Sequence, residues 1–187
     1  MTGIATTAIA AFFVASGLGT STVPSTWADI TPQAPIESYS VTMTGYNAVP
    51  EQTDESPDIT ASGAFSDPDI VAARSRDLAD ELPFGTVIAV RAATSSSPLC
   101  GLPLVNDVIG LRVIADTMNA RMHKKVDILF DTDANVRVGG KLTNAARVLG
   151  VCKGVAVEVV GHIDIRHMPK NQLELKVAMG ERTVARK

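Results

Sequence analysis

Aromatic residues are scarce in this chain of 187 residues: phenylalanine, tyrosine and tryptophan make up 4% of it, whereas all hydrophobic residues make up 45%. The core must therefore be built from valine, isoleucine, leucine and alanine. Such side chains favour a tight, β-rich barrel over a fold with a large pocket. The sequence also lacks an internal repeat and the regular alternation of helices and strands that a dinucleotide-binding α/β fold requires.

Lysine and arginine are absent before Arg74, although residues 1–73 carry eight acidic side chains. The formal net charge of the whole chain is −3, which gives no electrostatic footprint for nucleic acid. Residues 74–187 carry seventeen basic and twelve acidic groups, a net charge of +5 that suits an anionic polymer. The length accommodates one well-buried domain with appendages rather than two full domains.

No apolar run reaches the roughly 20 residues that a membrane-spanning helix needs. The longest one, Ile4–Leu18, is uncharged and has the length of the apolar part of a signal peptide. It predicts a signal peptide or an N-terminal membrane anchor over residues 1–28, and hence an extracytoplasmic protein that is secreted, periplasmic or associated with the cell envelope. The alternative is a buried N-terminal helix. Residues 29–38, rich in Pro, Ser and Thr, are expected to form a linker.

Alternating apolar and polar residues predict several short strands after the linker. The predicted strands are Tyr39–Tyr46, Ile59–Gly63, Thr86–Val90, two within residues 111–130, Val155–Val160 and a weak one at Leu173–Val177. The predicted helical segments are a turn at Asp77–Leu82 and a two-turn helix at Thr143–Gly150, capped by Thr143 and stopped by Gly150. Residues 92–107 are expected to form a long loop, and residues 131–140 a polar turn.

These elements predict a mostly β fold: a small six-stranded barrel with one or two short helices. The barrel domain is expected to occupy residues 39–165, and residues 166–187 to form a C-terminal extension.

The segment Val113–Phe130 contains two aspartates in apolar surroundings. Asp116 ends an apolar run, and Asp127 lies between Val126 and Ile128. Because a carboxylate inside a β core costs several kcal/mol unless it is paired or hydrogen-bonded, two of them so placed suggest a functional site. The alternative is a pair of structural turn caps.

Other candidate groups are fewer. His162, Asp164 and Arg166 fall on one face of a strand, which is compatible with metal binding or with a solvated polar surface. Cys100 and Cys152 are the only cysteines, and they form either a disulfide or two independent thiols. A nucleophilic pair of Cys152 and His162 would be a third possibility. We expect no metal ion and no cofactor.

Five stretches of the sequence occur in the order found in the three-aspartate (3D) domain. They are Tyr46, Ile59–Gly63, Leu82–Thr86, Ala115–Thr117 and Val126–Phe130. The chain resembles that family over about residues 39–160. The family is similar to the catalytic barrel of membrane-bound lytic transglycosylase A and to the stationary-phase survival domain. The resemblance thus implies a double-psi β-barrel that acts on the glycan strands of peptidoglycan.

The resemblance also implies a role for each aspartate. Asp127 matches the third aspartate of the family, the acid/base that protonates the glycosidic oxygen and then takes the proton of the sugar's 6-hydroxyl. Asp116 matches the second. The first lies shortly before Pro83, where Asp77 is the best candidate and Asp80 competes with it.

Substrate contacts are expected from residues around these aspartates: Tyr46 and Thr117, which belong to the stretches shared with the family, and Arg121, in the turn between the two aspartates. The hydroxyls of Thr60 and Ser62 could serve a ligand or make local backbone hydrogen bonds.

A general acid must hold its proton near neutral pH, so the pKa of an aspartate must rise from about 3.9 by roughly three units. Burial of Asp127 and a neighbouring carboxylate at Asp116 are the available means. One acid/base suffices, because the attacking 6-hydroxyl belongs to the substrate and no second carboxylate is needed as nucleophile. The sequence therefore predicts a lytic transglycosylase. The alternative is a non-catalytic barrel that binds cell-wall glycan or has a structural role, since Met118–Arg121 replaces the family's glycine-rich turn.

Overall fold

In the part of the chain that the structure describes, eight strands and three short α-helices make up the fold. The computed structural model describes residues 37–49, 56–93 and 99–180, so the predicted segment 1–28 and nearly all of the predicted linker lie outside the described residues. The strands are β1 (Ser38–Asn47), β2 (Val71–Arg74), β3 (Thr86–Ala93), β4 (Leu111–Thr117), β5 (Lys125–Phe130), β6 (Asn135–Val138), β7 (Lys141–Asn144) and β8 (Cys152–His162). The helices are α1 (Leu102–Ile109), α2 (Ala145–Leu149) and α3 (Gln172–Ala178).

Six of the strands close into a barrel in the order β1-β5-β2-β4-β3-β8, and β6 and β7 form a separate hairpin. The pairs β1–β5 and β2–β4 are parallel, and the other barrel pairs are antiparallel. The predicted small, mostly β, six-stranded barrel is therefore confirmed. The strands predicted at Tyr39–Tyr46, Thr86–Val90 and Val155–Val160 are also confirmed, and each is longer than predicted.

The core is aliphatic, as the composition requires. Among the described residues, Phe130 is the only aromatic side chain in the buried hydrophobic core. Ile88, Ile114 and Ile128 are fully buried in the larger of two clusters, and Leu175 of α3 is fully buried in the other. Burying each aliphatic side chain contributes about 1.5 to 3 kcal/mol, so the barrel needs no aromatic layer.

Two predicted strands differ from the structure. The weak strand predicted at Leu173–Val177 is wrong, because these residues belong to α3, whose first turn Asn171 caps by accepting a hydrogen bond from the Glu174 amide. The second strand predicted at Ile59–Gly63 is also wrong. It is reduced to one bridge between Ile59 and Phe65, since the chain reverses at a glycine with a φ of +84°.

The helices also differ from the prediction in their bounds. The predicted loop 92–107 contains most of α1, with a proline in the first turn. The predicted cap Thr143 is wrong: Thr143 pairs with Val136 in the β6–β7 hairpin, which occupies part of the predicted polar turn 131–140. Asn144 caps α2 by accepting a hydrogen bond from the Ala146 amide, and Gly150 ends the helix as predicted, with a φ of +61°.

Cys100 and Cys152 form a disulfide, which settles the alternatives left open by the sequence. A thiol nucleophile at Cys152 is thereby excluded. None of the helices within the described residues is long and apolar enough to cross a membrane.

Candidate active site

A cleft of about 650 Å³ lies beside the barrel, between a loop at residues 56–66 and the turn 118–122 that follows β4. Its walls include side chains from β1, β2, β4 and β5. Both aspartates of the Val113–Phe130 segment line it. The composition favoured a tight barrel over a large pocket, and the cleft is compatible with that because surface loops form much of its wall.

Strand pairing brings the two aspartates together. Strand β2 lies between β4 and β5, and Ala73 is the register partner of both Asp116 on β4 and Asp127 on β5. The aspartate backbones are therefore two strand spacings apart, about 9 to 10 Å. The methyl group of Ala73, which also lines the cleft, leaves room between them.

A β-bulge aims Asp116 into this arrangement. The register of β4 on β2 shifts between Ala72, which pairs with Ile114, and Ala73, which pairs with Asp116. The extra residue is Ala115, which is fully buried. Bulges redirect side chains next to sites of this kind. Without the shift, Asp116 would not lie opposite Ala73.

Asp127 is largely buried and has one side-chain partner. The Thr44 hydroxyl on the neighbouring parallel strand donates a hydrogen bond of 2.9 Å to its carboxylate. Burial is the main cause that raises the pKa of Asp127 to about 6, with a smaller contribution from the charge of Asp116. The Thr44 hydrogen bond and the charge of Lys125 oppose the rise. Asp127 thus keeps its proton in mildly acidic solution, although the rise is smaller than the three units the sequence argument required.

Asp116 is held in place by three donors. The amides of Ala61 and Thr117 each donate a hydrogen bond of 2.8 Å to one carboxylate oxygen, and the Tyr46 hydroxyl donates one of 3.2 Å to the other. Burial and the charge of Asp116 raise the pKa of Tyr46 well above its usual value, so its hydroxyl keeps the proton that it donates. Asp116 is therefore an oriented, hydrogen-bonded carboxylate beside the less restrained Asp127.

Most of the predicted substrate contacts lie in the same cleft. Tyr46, Thr60, Thr117 and Arg121 line it, with Arg121 exposed on the turn after β4. Ser62 is not part of the wall. Its hydroxyl lies 2.9 Å from the hydroxyl of Thr60, which donates to the Ala64 carbonyl, so both take part in local hydrogen bonds.

Asp77 lies apart from the cleft wall. It follows β2 in a short 3₁₀ turn, where its carboxylate accepts a hydrogen bond from the Lys124 amide and lies 3.9 Å from the ring of His123. Hydrogen bonding to Ser75 is the main cause that lowers its pKa. The competing candidate, Asp80, is exposed in the following turn. Asp77 therefore fixes the segment that leads into β5, next to the cleft.

Two residues of the site escaped the sequence argument. Thr44 lies within the predicted strand Tyr39–Tyr46, and its pairing with Asp127 depends on the parallel register of β1 and β5. Arg76 lines the cleft from the turn after β2 and is exposed there, like Arg121. The one available signal was that two arginines, Arg74 and Arg76, follow a short apolar run.

The polar residues after β8 form a local ion-pair cluster. Asp164 accepts hydrogen bonds from the guanidinium group of Arg166 and lies 3.2 Å from His167, while His162 ends β8. Hydrogen bonding to Arg166 holds the pKa of Asp164 well below its usual range. Within the described residues there is no group of three metal-ligating side chains.

Compared with known proteins, the chain matches no family model and no curated protein.

Proposed function

We propose that this protein is a peptidoglycan lytic transglycosylase of the three-aspartate type, with Asp127 as the single acid/base. The observation that carries the proposal is the contrast between the two cleft carboxylates. Asp116 accepts three hydrogen bonds, whereas Asp127 accepts one side-chain hydrogen bond and has a pKa near 6 because it is buried. A carboxyl group of this kind can both give and take a proton in mildly acidic solution.

The reaction needs one residue that acts twice. Protonated Asp127 donates its proton to the glycosidic oxygen, the bond from the anomeric carbon to that oxygen breaks, and the sugar ring carries the positive charge. The Asp127 carboxylate then takes the proton of the 6-hydroxyl as its oxygen bonds to the anomeric carbon. The products are a 1,6-anhydro end and a new free hydroxyl, and Asp127 is again protonated.

The role proposed for Asp116 is electrostatic and steric. Its three hydrogen bonds fix its orientation, so that its negative charge can stabilise the positive sugar ring in the transition state. The same charge contributes to the raised pKa of Asp127. Asp77, proposed from the sequence as a third catalytic aspartate, is reassigned in this scheme to a supporting role outside the cleft.

The dimensions and chemistry of the cleft suit a glycan strand. Its volume of about 650 Å³ can hold a short oligosaccharide. Hydroxyl and charged groups from Thr60, Thr117 and Arg121 lie along the wall. The disulfide supports an extracytoplasmic location, because such bonds persist in oxidising compartments. In this proposal Ile4–Leu18 is an export signal or a membrane tether.

The test is digestion of purified sacculi, followed by mass spectrometry of the soluble fragments. The wild-type protein is expected to release 1,6-anhydromuramic products, and Asp127→Asn to lose at least about a hundredfold in rate, the usual contribution of a general acid/base. The rate of the wild-type protein, as kcat/KM, is expected to fall above about pH 6, where Asp127 loses its proton.

Asp133→Asn is the matched control, since Asp133 is an exposed aspartate in the turn before β6. It should leave the rate unchanged. Binding of wild-type protein to sacculi without release of any anhydro product would reject the enzyme and favour the non-catalytic glycan-binding barrel.

A further inference from the structure

A second, apolar groove lies around the disulfide. Its volume is about 490 Å³, and its wall is formed by the segment at Leu99, by α1, by the β6–β7 hairpin and by the segment from α2 to β8. Four aliphatic side chains along it are exposed: Leu99 (72%), Leu104 (56%), Val151 (42%) and Val138 (38%). Exposed apolar side chains that cluster in this way mark an interaction surface.

Basic side chains outnumber acidic ones on the elements that form the groove. The elements that form its wall, with the first residues of β8, carry four basic side chains: Arg137, Lys141, Arg147 and Lys153, all exposed. Their single acidic residue is Asp107 of α1. Arg147 itself lines the groove, and Lys141 is the register partner of the lining residue Val138, so it projects from the same face of the hairpin.

From this combination we infer that the groove and its basic rim form a docking surface for an anionic lipid bilayer. Aliphatic side chains enter the boundary between headgroups and acyl chains, while lysine and arginine bind the negative headgroups. Arg147 and Lys141, which share the groove's face, complement that charge directly, whereas Arg137 alternates with Val138 and lies on the other face of the hairpin. The inference concerns a different face from the cleft and does not depend on the proposed reaction.

Two other occupants fit the charges less well. A second copy of this chain would bring two faces of net positive charge together, which repel each other. The chain's own Ile4–Leu18 has no acidic side chain to match the rim. The composition of the groove disfavours a protein partner. Protein interfaces are rich in aromatic residues and poor in lysine, whereas the groove is lined by no aromatic residue among those described and has lysines nearby.

The test is cosedimentation of the full chain with two kinds of vesicle, pure phosphatidylcholine and phosphatidylcholine mixed with phosphatidylglycerol. If an uncharged N-terminal segment inserted into the bilayer, it would bind both kinds of vesicle equally well. The difference in affinity between the two vesicles therefore measures the contribution of the basic side chains. We expect clearly tighter binding to the anionic vesicles, weakened by added salt. Equal binding to both vesicles, or none to the anionic ones, would overturn the inference.

Two pairs of variants localise the effect. Lys141→Glu with Lys153→Glu should lower the partition coefficient on anionic vesicles by at least about tenfold, whereas the matched Lys170→Glu with Lys176→Glu, also exposed, should change it far less. Leu104→Ser should weaken binding, and Leu173→Ser, at an equally exposed leucine on α3, should not. Equal effects of the paired variants would reject the groove as the site. A dimer in sedimentation analysis that Leu104→Ser dissociates would instead identify a second copy as the occupant.

Discussion

The two ends of strand β4 hold charged side chains in opposite ways. At its start, Arg112 is buried to 1% exposure and donates hydrogen bonds to carbonyl groups from three parts of the fold. At its end, Asp116 faces an open cleft beside Asp127. One charge is enclosed and fully used by the backbone. The carboxylates of Asp116 and Asp127, in contrast, can still accept hydrogen bonds from solvent or a ligand.

The environment of Arg112 explains why it remains charged. Its guanidinium group serves the last carbonyls of α1, at Val108 and Ile109, where the helix carries partial negative charge, and it also reaches Pro68 and Leu129. Burial lowers its pKa to about 10, still far above neutral pH. Arg112 thus connects α1, the entry to β2 and the strand that carries Asp127.

The comparison teaches that burial alone does not identify a functional charge. Arg112 is the more deeply buried group, yet its partners leave nothing for a ligand to bind. Asp127 has one hydrogen-bond donor and a perturbed pKa in a cleft. The number of unsatisfied positions on a buried charge therefore distinguishes a structural role from a chemical one.

The largest expected effect concerns the enclosed charge. Arg112→Met should lower the free energy of unfolding by about 4 kcal/mol, because several buried carbonyls lose their donor. Chemical denaturation measures the change. Arg147→Met, at an exposed arginine, should stay within about 0.5 kcal/mol. If Arg112→Met lowered the free energy of unfolding by no more than Arg147→Met does, water would be replacing the guanidinium group. The charges at the two ends of β4 would then not differ in their role.

The next effect has the opposite sign and depends on pH. The pKa of folded Asp127 is about 6, above the value of an unfolded aspartate, so the wild-type protein loses stability as pH rises between the two values. Asp127→Asn does not titrate. It should therefore raise the free energy of unfolding by about 3 kcal/mol near neutral pH and change it little below about pH 4.

Denaturation curves of the wild-type protein and Asp127→Asn, recorded near neutral pH and below about pH 4, test this prediction. Asp133→Asn, at an exposed site, should show no such pH dependence. Equal stabilisation by Asp127→Asn at both pH values would assign the gain to packing and not to the removal of a buried charge.

A smaller effect concerns Thr44, the only side-chain donor to Asp127 among the described residues. Thr44→Val removes a hydrogen bond that favours the ionised carboxylate, so it should raise the pKa of Asp127 further, by about one unit or 1.4 kcal/mol. Carbon NMR of the carboxyl group follows the titration. Thr42→Val is the control, since Thr42 pairs with Lys125 on β5. A fall in the pKa, or the same rise in both variants, would contradict the assigned role of Thr44.

The smallest effect concerns the better-satisfied carboxylate. Tyr46→Phe removes one of three donors to Asp116, and the two amides remain, so the free energy of unfolding should fall by only about 0.5 to 1 kcal/mol. Tyr39→Phe, which loses an exposed hydrogen bond to Glu37, should have almost no effect in the same thermal melts. A loss of several kcal/mol in Tyr46→Phe would show that the amides do not hold Asp116 alone.

Strand propensity and apolar alternation predicted most of the barrel, because long, regularly patterned strands depend little on their surroundings. The position of the two aspartates next to apolar residues also predicted the cleft pair. Apolar alternation gave a wrong prediction at Leu173–Val177. Apolar residues at every second position are typical of a strand, but they also fit a short helix in which only Leu175 is buried. Contacts of Gln172 with Asp69 and with Leu111 hold that helix in place, and they join residues distant in the sequence.

The hydrogen-bond partners of Arg112 and the bulge at Ala115 could not be predicted from the sequence pattern either. Apolar neighbours predicted burial at this strand, but the carbonyl groups that satisfy Arg112 come from three separate segments. The bulge depends on how β4 pairs with β2 and leaves no mark in composition. Geometry of this kind is set by tertiary pairing, so a single sequence does not reveal it.

The disulfide has a topological consequence for the cleft. It closes a covalent ring whose cysteines are 52 positions apart in the sequence, and the ring contains α1, β4, β5 and the exposed β6–β7 hairpin. A protease that cuts the hairpin once leaves two fragments that are still joined through Cys100 and Cys152. Asp116 and Asp127 lie on the same side of such a cut, on one uninterrupted segment, so a nicked molecule keeps both carboxylates on a single covalent framework.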